Sequence, residues 1–117
     1  MGVILDSTGI FLPSIEVDIS ATTNDWAPTG LSGAAVIYLR NTSASAISVT
    51  GLTGGESGRF IAIVHVGSGQ VTLEHDDAGS SASNRFDCAN NVDDAMTEGD
   101  AAAFIYTTTT WKQCGAT

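Results

Sequence analysis

Short stretches that alternate apolar and polar residues recur along this chain, and no sustained helical period competes with them. Ile15-Glu-Val-Asp-Ile19 puts three apolar side chains on one side and two carboxylates on the other. A period of two is the mark of a half-buried strand. Ala46-Ile-Ser-Val-Thr50 alternates in the same way, with Ile47 and Val49 inward. Residues 59–66, Arg-Phe-Ile-Ala-Ile-Val-His-Val, are apolar on both faces. That pattern predicts a central strand covered on both sides. Gly67-Ser-Gly69 follows, and predicts a hairpin into a strand over residues 70–75. Residues 34–40 and 84–88 are further strand candidates, and 101–107 with 109–113 read as a closing pair. One mild helical stretch, residues 93–103, is interrupted by Gly99.

The expected fold is therefore all-β. It is a single, jelly-roll-like β-sandwich of about eight short antiparallel strands over residues 14–117, with residues 1–13 as an N-terminal arm or edge strand. A length of 117 residues fits one domain. The composition agrees. Only 15% of residues are charged, against about 25% in an average globular chain. The polar complement is 14 Thr and 12 Ser, with 13 Gly for the turns. Thirteen acids against four bases leave a net charge of −9. So few cations cannot neutralise many phosphates, so neither nucleic acid nor an anionic membrane surface is an expected partner. The longest apolar stretch, residues 101–106, is far short of a membrane-spanning helix. Residues 1–6 lack the basic start and apolar run of a signal peptide, so synthesis and folding in a cytosol are expected.

The residues that carry chemistry are sparse. There is no Gly-x-Ser-x-Gly elbow, no phosphate-binding glycine loop and no His-x-x-x-His. The chain is expected to be non-enzymatic and to hold no cofactor or metal. His65 lies in phase with Ile61 and Ile63 and is expected to satisfy a local hydrogen bond. In a hairpin turning at residues 67–69, His75 falls too far from His65 to share a metal with it. The acidic stretches 74–77 and 93–100 match no calcium loop and read as a solvated rim. Cys88 and Cys114 are too few for a disulfide framework and fit no zinc spacing. Asn41-Thr-Ser43 has the form of a glycosylation sequon, of little weight without a secretory signal. Trp26 and Tyr38 are the candidate glycan contacts, whereas Trp111 is expected to pack in the core.

From Asn24 onward the motifs fall in a familiar order. They are Asn24-Asp-Trp-Ala-Pro-Thr-Gly-Leu31, then Ile47-Ser-Val-Thr-Gly-Leu-Thr-Gly-Gly-Glu-Ser-Gly-Arg59, then residues 63–80 running into Asn84-Arg-Phe86. Glu98-Gly-Asp100, Phe104-Ile-Tyr106 and Trp111-Lys112 close the series. In this order and spacing the chain resembles a β-sandwich module of tailed-bacteriophage structural proteins, one found in tail-fibre and receptor-binding chains and in small capsid decoration (cement) proteins. His65 departs from that pattern, where a small polar residue such as Asn is expected, and Cys88 has no place in it. The resemblance implies a virion structural protein. The first expectation is a cement protein on the capsid exterior, a homotrimer bound to the major capsid protein. The alternative is a tail-fibre or tail-tip module recognising host glycans through Trp26 and Tyr38. Because the module fills nearly the whole chain, the cement role is placed first. The apolar arm residues Val3, Ile4, Leu5, Ile10, Phe11 and Leu12 are then the expected capsid or subunit contact. The acidic late loops are expected to face solvent, with Arg85 and Asp100 as a candidate ion pair.

Overall fold

A computed structural model describes residues 4–6 and 9–116, with side chains described from Phe11 onward. Eleven strands occur among the described residues. They are β1 (Ile4–Asp6), β2 (Gly9–Phe11), β3 (Ser14–Ile19), β4 (Val36–Asn41), β5 (Ile47–Val49), β6 (Phe60–His65), β7 (Val71–Leu73), β8 (Phe86–Asp87), β9 (Asp94–Met96), β10 (Ala101–Tyr106) and β11 (Trp111–Ala116). A six-stranded sheet has the order β3-β4-β6-β10-β11-β8, and a three-stranded sheet the order β5-β7-β9. The two form the expected sandwich. The hairpin β1-β2 stands apart from both, with Ile4 opposite Phe11 and Leu5 opposite Ile10.

Strand pairing differs from the antiparallel expectation. β3 with β4, β4 with β6, β5 with β7 and β11 with β8 are all parallel. The cause is the path of the chain. From β4 to β7 it steps to the opposite sheet at every strand, so each return to a sheet runs in the direction of the previous visit. The segment between β3 and β4 makes the same detour, with Thr23 bridging Val49 and Trp26 bridging Leu52. Parallel neighbours require such a crossover; a tight turn cannot supply it. For the same reason residues 67–69 do not close a hairpin. They carry the chain from β6 in one sheet to β7 in the other. Only β10 and β11 form the antiparallel closing pair the sequence predicts, with Tyr106 opposite Trp111. The mild helical stretch resolves into β9 and the start of β10. Between them Gly99 turns at a φ of 92°, a left-handed value that glycine adopts at little cost.

The inner face of the six-stranded sheet holds Ile15, Val17 and Ile19 from β3, Ile37 and Leu39 from β4, Ile61 and Ile63 from β6, and Phe104 from β10. Val49, Val71, Leu73 and Met96 meet them from the other sheet. Each fully buried side chain of this size contributes about 1.5–3 kcal/mol. Trp111 packs in this core as expected, its indole N–H donating to the Leu52 carbonyl at 2.8 Å. Phe86 lies 4.8 Å from Phe104, and Tyr106 meets Trp111 edge-on at 5.1 Å.

Candidate functional site

The motif pieces that carry the resemblance converge on one place, the loops between the strands. The Ser80 hydroxyl accepts from the Asp25 N–H at 2.8 Å and lies 2.7 Å from the Thr50 hydroxyl. Thr50 also donates to the Asn24 side-chain oxygen at 2.7 Å. The Asp25 carboxylate accepts from the Ser81 N–H at 2.8 Å and the Asn84 amide at 3.0 Å. These donors hold the Asp25 carboxyl below its ordinary pKa, the Asn84 bond first and the Ser81 bond second. Gly51 sits where a Cβ would come within 2.5 Å of the Ser80 hydroxyl and 2.6 Å of the Asn84 carbonyl. The motif is thus a latch joining the loops after β3, β5 and β7.

A second latch is Arg59. Its guanidinium donates to the carbonyls of Leu31, Ala34 (3.2 Å) and Gly54 (2.8 Å), fixing the loop before β4 against the loop before β6. Tyr106 ties a third loop, donating its hydroxyl to the Ser83 carbonyl at 2.7 Å. The expected pair of Arg85 with Asp100 does not form. Arg85 lies 3.4 Å from Asp76 and donates to the Ser80 carbonyl, while Asp100 accepts from the Thr97 N–H at 2.9 Å. Each group is claimed by its own loop.

The two histidines have separate tasks. His65 is buried; its Nδ1 accepts from the Gly67 N–H at 3.2 Å and its Nε2 meets the Gly69 carbonyl. A ring that accepts at one nitrogen and faces a carbonyl with the other carries its proton on Nε2. His75 accepts from the Cys88 N–H at 3.0 Å and stands 3.9 Å from Asp87. It bridges Phe86 in parallel, away from His65. The acids are likewise dispersed: Asp77 accepts from Gly79, Asp93 from His75 and Asp94 from Gln113. Among the described residues no three His, Cys, Asp or Glu side chains cluster to hold a metal. Cys88 is buried and Cys114 exposed, and both are free. Burial pushes the Cys88 thiol up to about 12, with Asp94 and Asp93 adding to it. Asn41 of the sequon is buried, its amide nitrogen donating to the carbonyls of Ser45 and Gln70.

The two candidate glycan contacts, Trp26 and Tyr38, differ in exposure. Trp26 is 4% exposed and belongs to the core. Its backbone bridge to Leu52 draws the ring inward. Tyr38 is 37% exposed and points outward from β4. It borders an open groove of about 390 Å³ with Ser14, Glu16 and Arg40. Of the arm residues, Val3 lies outside the described residues, as do the side chains of Ile4, Leu5 and Ile10. Phe11 and Leu12 are exposed, beside a groove of about 350 Å³ at the foot of the hairpin.

The open face around Tyr38 differs from the sequence expectation. Residues 59–66 predicted cover on both sides, yet only the inner side of β6 is covered among the described residues. Phe60 stays 37% exposed on the outer side and Ile105, opposite it on β10, 41%. The signal was available in the apolar run itself, but the missing second layer is a tertiary fact.

A family model for the phage depolymerase C-terminal beta sandwich domain matches residues 18–112. The chain belongs to that family. The match runs from Asp18 in β3 to Lys112 in β11, so it takes in both sheets and the Asp25-Thr50-Ser80 latch and leaves out the β1-β2 hairpin. No curated protein and no solved structure matches the chain. Membership in the depolymerase C-terminal sandwich family bears out the phage β-sandwich resemblance drawn from the motif order.

Proposed function

We propose that this depolymerase C-terminal sandwich is a non-catalytic structural module of a phage tail protein, of the tail-fibre or depolymerase type. The observation that carries the proposal is the family match across both sheets, residues 18–112. The chemistry of the side chains supports it. The latch residues of the motif bond to one another and to loop backbone, which is what a rigid mounting needs, and the carboxylates are dispersed among separate loops. Phe60 and Ile105 stand exposed side by side on a sheet face, a form suited to protein contact.

A tail location takes precedence here over the capsid exterior, because the family is described by its depolymerase membership. Gold-labelled antibody raised against the chain and applied to intact virions tests this. Label at the tail fibres or tail tip is the expected result. Uniform label over the head would overturn it in favour of cementing the major capsid protein. The absence of label from both would remove the chain from the virion altogether.

A further inference from the structure

We infer that β3, the outermost strand of the six-stranded sheet, is a docking edge that takes an extended, basic strand of another polypeptide. Its pairing leaves that edge open. β3 runs parallel to β4 on one side, and among the described residues no strand lies on the other. The Pro13 carbonyl accepts from Ala35 and the Ile19 carbonyl from Thr42, so the odd-numbered residues here turn their backbone groups to β4. The N–H and C=O of Ser14, Glu16 and Asp18 therefore point away from the sheet. They repeat at about 6.6 Å, a spacing that an extended backbone matches. The other strands at sheet margins are short, two residues in β8 and three each in β5 and β9. β3 has six residues, an unbroken register, and no lysine or proline within it. Shortness, bulges, lysine and proline are the devices that ordinarily blunt a free edge. β3 has none of them.

The side chains define what fits. Ile15, Val17 and Ile19 pack against the core yet stay half-buried, whereas Ile37 and Leu39 beside them on β4 are fully buried. A further strand with apolar residues on that face would complete their cover. The two open grooves, of about 350 and 390 Å³, meet at Ser14 and Ile15, so the start of this edge has room for added side chains. The other face of β3 carries Glu16 and Asp18. Asp18 pairs with Arg40 at 3.0 Å, while among the described residues Glu16 has no cationic partner. A lysine or arginine directly across the strands supplies one, and opposite charges so placed attract. A second copy is the wrong occupant. Pairing β3 with another β3 along its length sets Glu16 against Glu16 or Asp18, and like charges directly opposite are destabilising. The occupant is therefore a strand from a different polypeptide, apolar towards the core and basic outward. Main-chain hydrogen bonds give such an added strand its affinity, and the alternate side chains its specificity. This stands independently of where the module sits in the virion.

The peptide Thr-Val-Lys-Val-Lys-Val-Thr, which reads the same in either direction, tests the inference by nuclear magnetic resonance of the 117-residue chain. In the free chain the Glu16 and Asp18 amides should exchange with water about tenfold faster than those of Ile15 and Val17, which face β4. Peptide at up to about 2 mM, a range that detects weak binding, should shift both resonances and slow both exchanges about tenfold. A peptide with Glu in place of each Lys should bind about fivefold more weakly, and Glu16→Lys should reverse that preference. Glu16→Pro removes an outward N–H and spares the bonds to β4, so it should abolish binding. Near-ultraviolet circular dichroism of Trp26 and Trp111 reports that each variant is folded; Glu16→Lys alone carries the test if Glu16→Pro is not. The inference is overturned if the outward amides are already protected in the free chain, or if no resonance of β3 moves at the highest concentration. Equal binding of the two peptides, or binding that survives Glu16→Pro in a folded chain, overturns it too.

Discussion

At the residue scale, His65 and Cys88 have clear physical roles. His65 is buried under the turn it stabilises, accepting from Gly67 and facing the Gly69 carbonyl. His65→Ala leaves both backbone groups unpaired and opens a cavity, so unfolding should become easier by about 2–4 kcal/mol. Urea denaturation followed by tryptophan fluorescence measures this. His65→Asn is the milder change, since an amide can still pair with one of the two groups. Cys88 is buried beside Asp93 and Asp94, which holds its thiol protonated up to about pH 12. The thiolate is the reactive form, so Cys88 should resist a disulfide reagent at pH 8. The folded protein should yield one reactive thiol, from exposed Cys114, and the denatured protein two. The sign for stability follows. A thiol pKa raised on folding from 9.0 to about 12 gives stability present in full below pH 9 and lost as the pH rises from there towards 12.

At the element scale, the loops are held as firmly as the strands. Gly55 shows why. A Cβ there would come within 2.1 Å of the Tyr106 ring, which is buried, packed edge-on against Trp111 and bonded to Ser83. The ring cannot step aside without breaking that bond. Gly55→Ala should therefore destabilise by about 1–3 kcal/mol, as overpacking does. A fall in melting temperature, with the Tyr106 hydroxyl bond lost in the variant's structure, is the expected outcome. Gly58→Ala is the contrasting change: nothing lies within 4 Å of its Cβ, and only the φ of 87° opposes it. Comparing the two separates crowding from backbone strain.

At the scale of the whole molecule, the sandwich is lopsided. Six strands on one side face three on the other, and the wider sheet keeps an apolar outer surface. Asp94 belongs to the narrower sheet, whereas Glu16, Asp18 and Asp87 stand on the wider one beside the apolar residues. Antibody labelling of virions is the measurement of location at this scale.

The sequence by itself determined the fold class and most of the strands. Alternation over Ile15-Glu-Val-Asp-Ile19 and Ile47-Ser-Val49 marks local strands because a pleated backbone turns successive side chains to opposite faces. The motif order also reached the family, since loop latches such as Asn24-Asp25, Thr50-Gly51 and Ser80 leave a fixed spacing in the chain. Which strands pair was settled only in three dimensions. A glycine turn such as residues 67–69 can close a hairpin or cross between layers, and the choice depends on where distant strands lie. The same holds for the candidate sites. Trp26 and Tyr38 look equivalent along the chain, but one ring is drawn into the core by a bridge to Leu52 and the other is turned outward. Whether an apolar strand is covered on both faces is decided by which layers pack against it, and one side of β6 has none among the described residues.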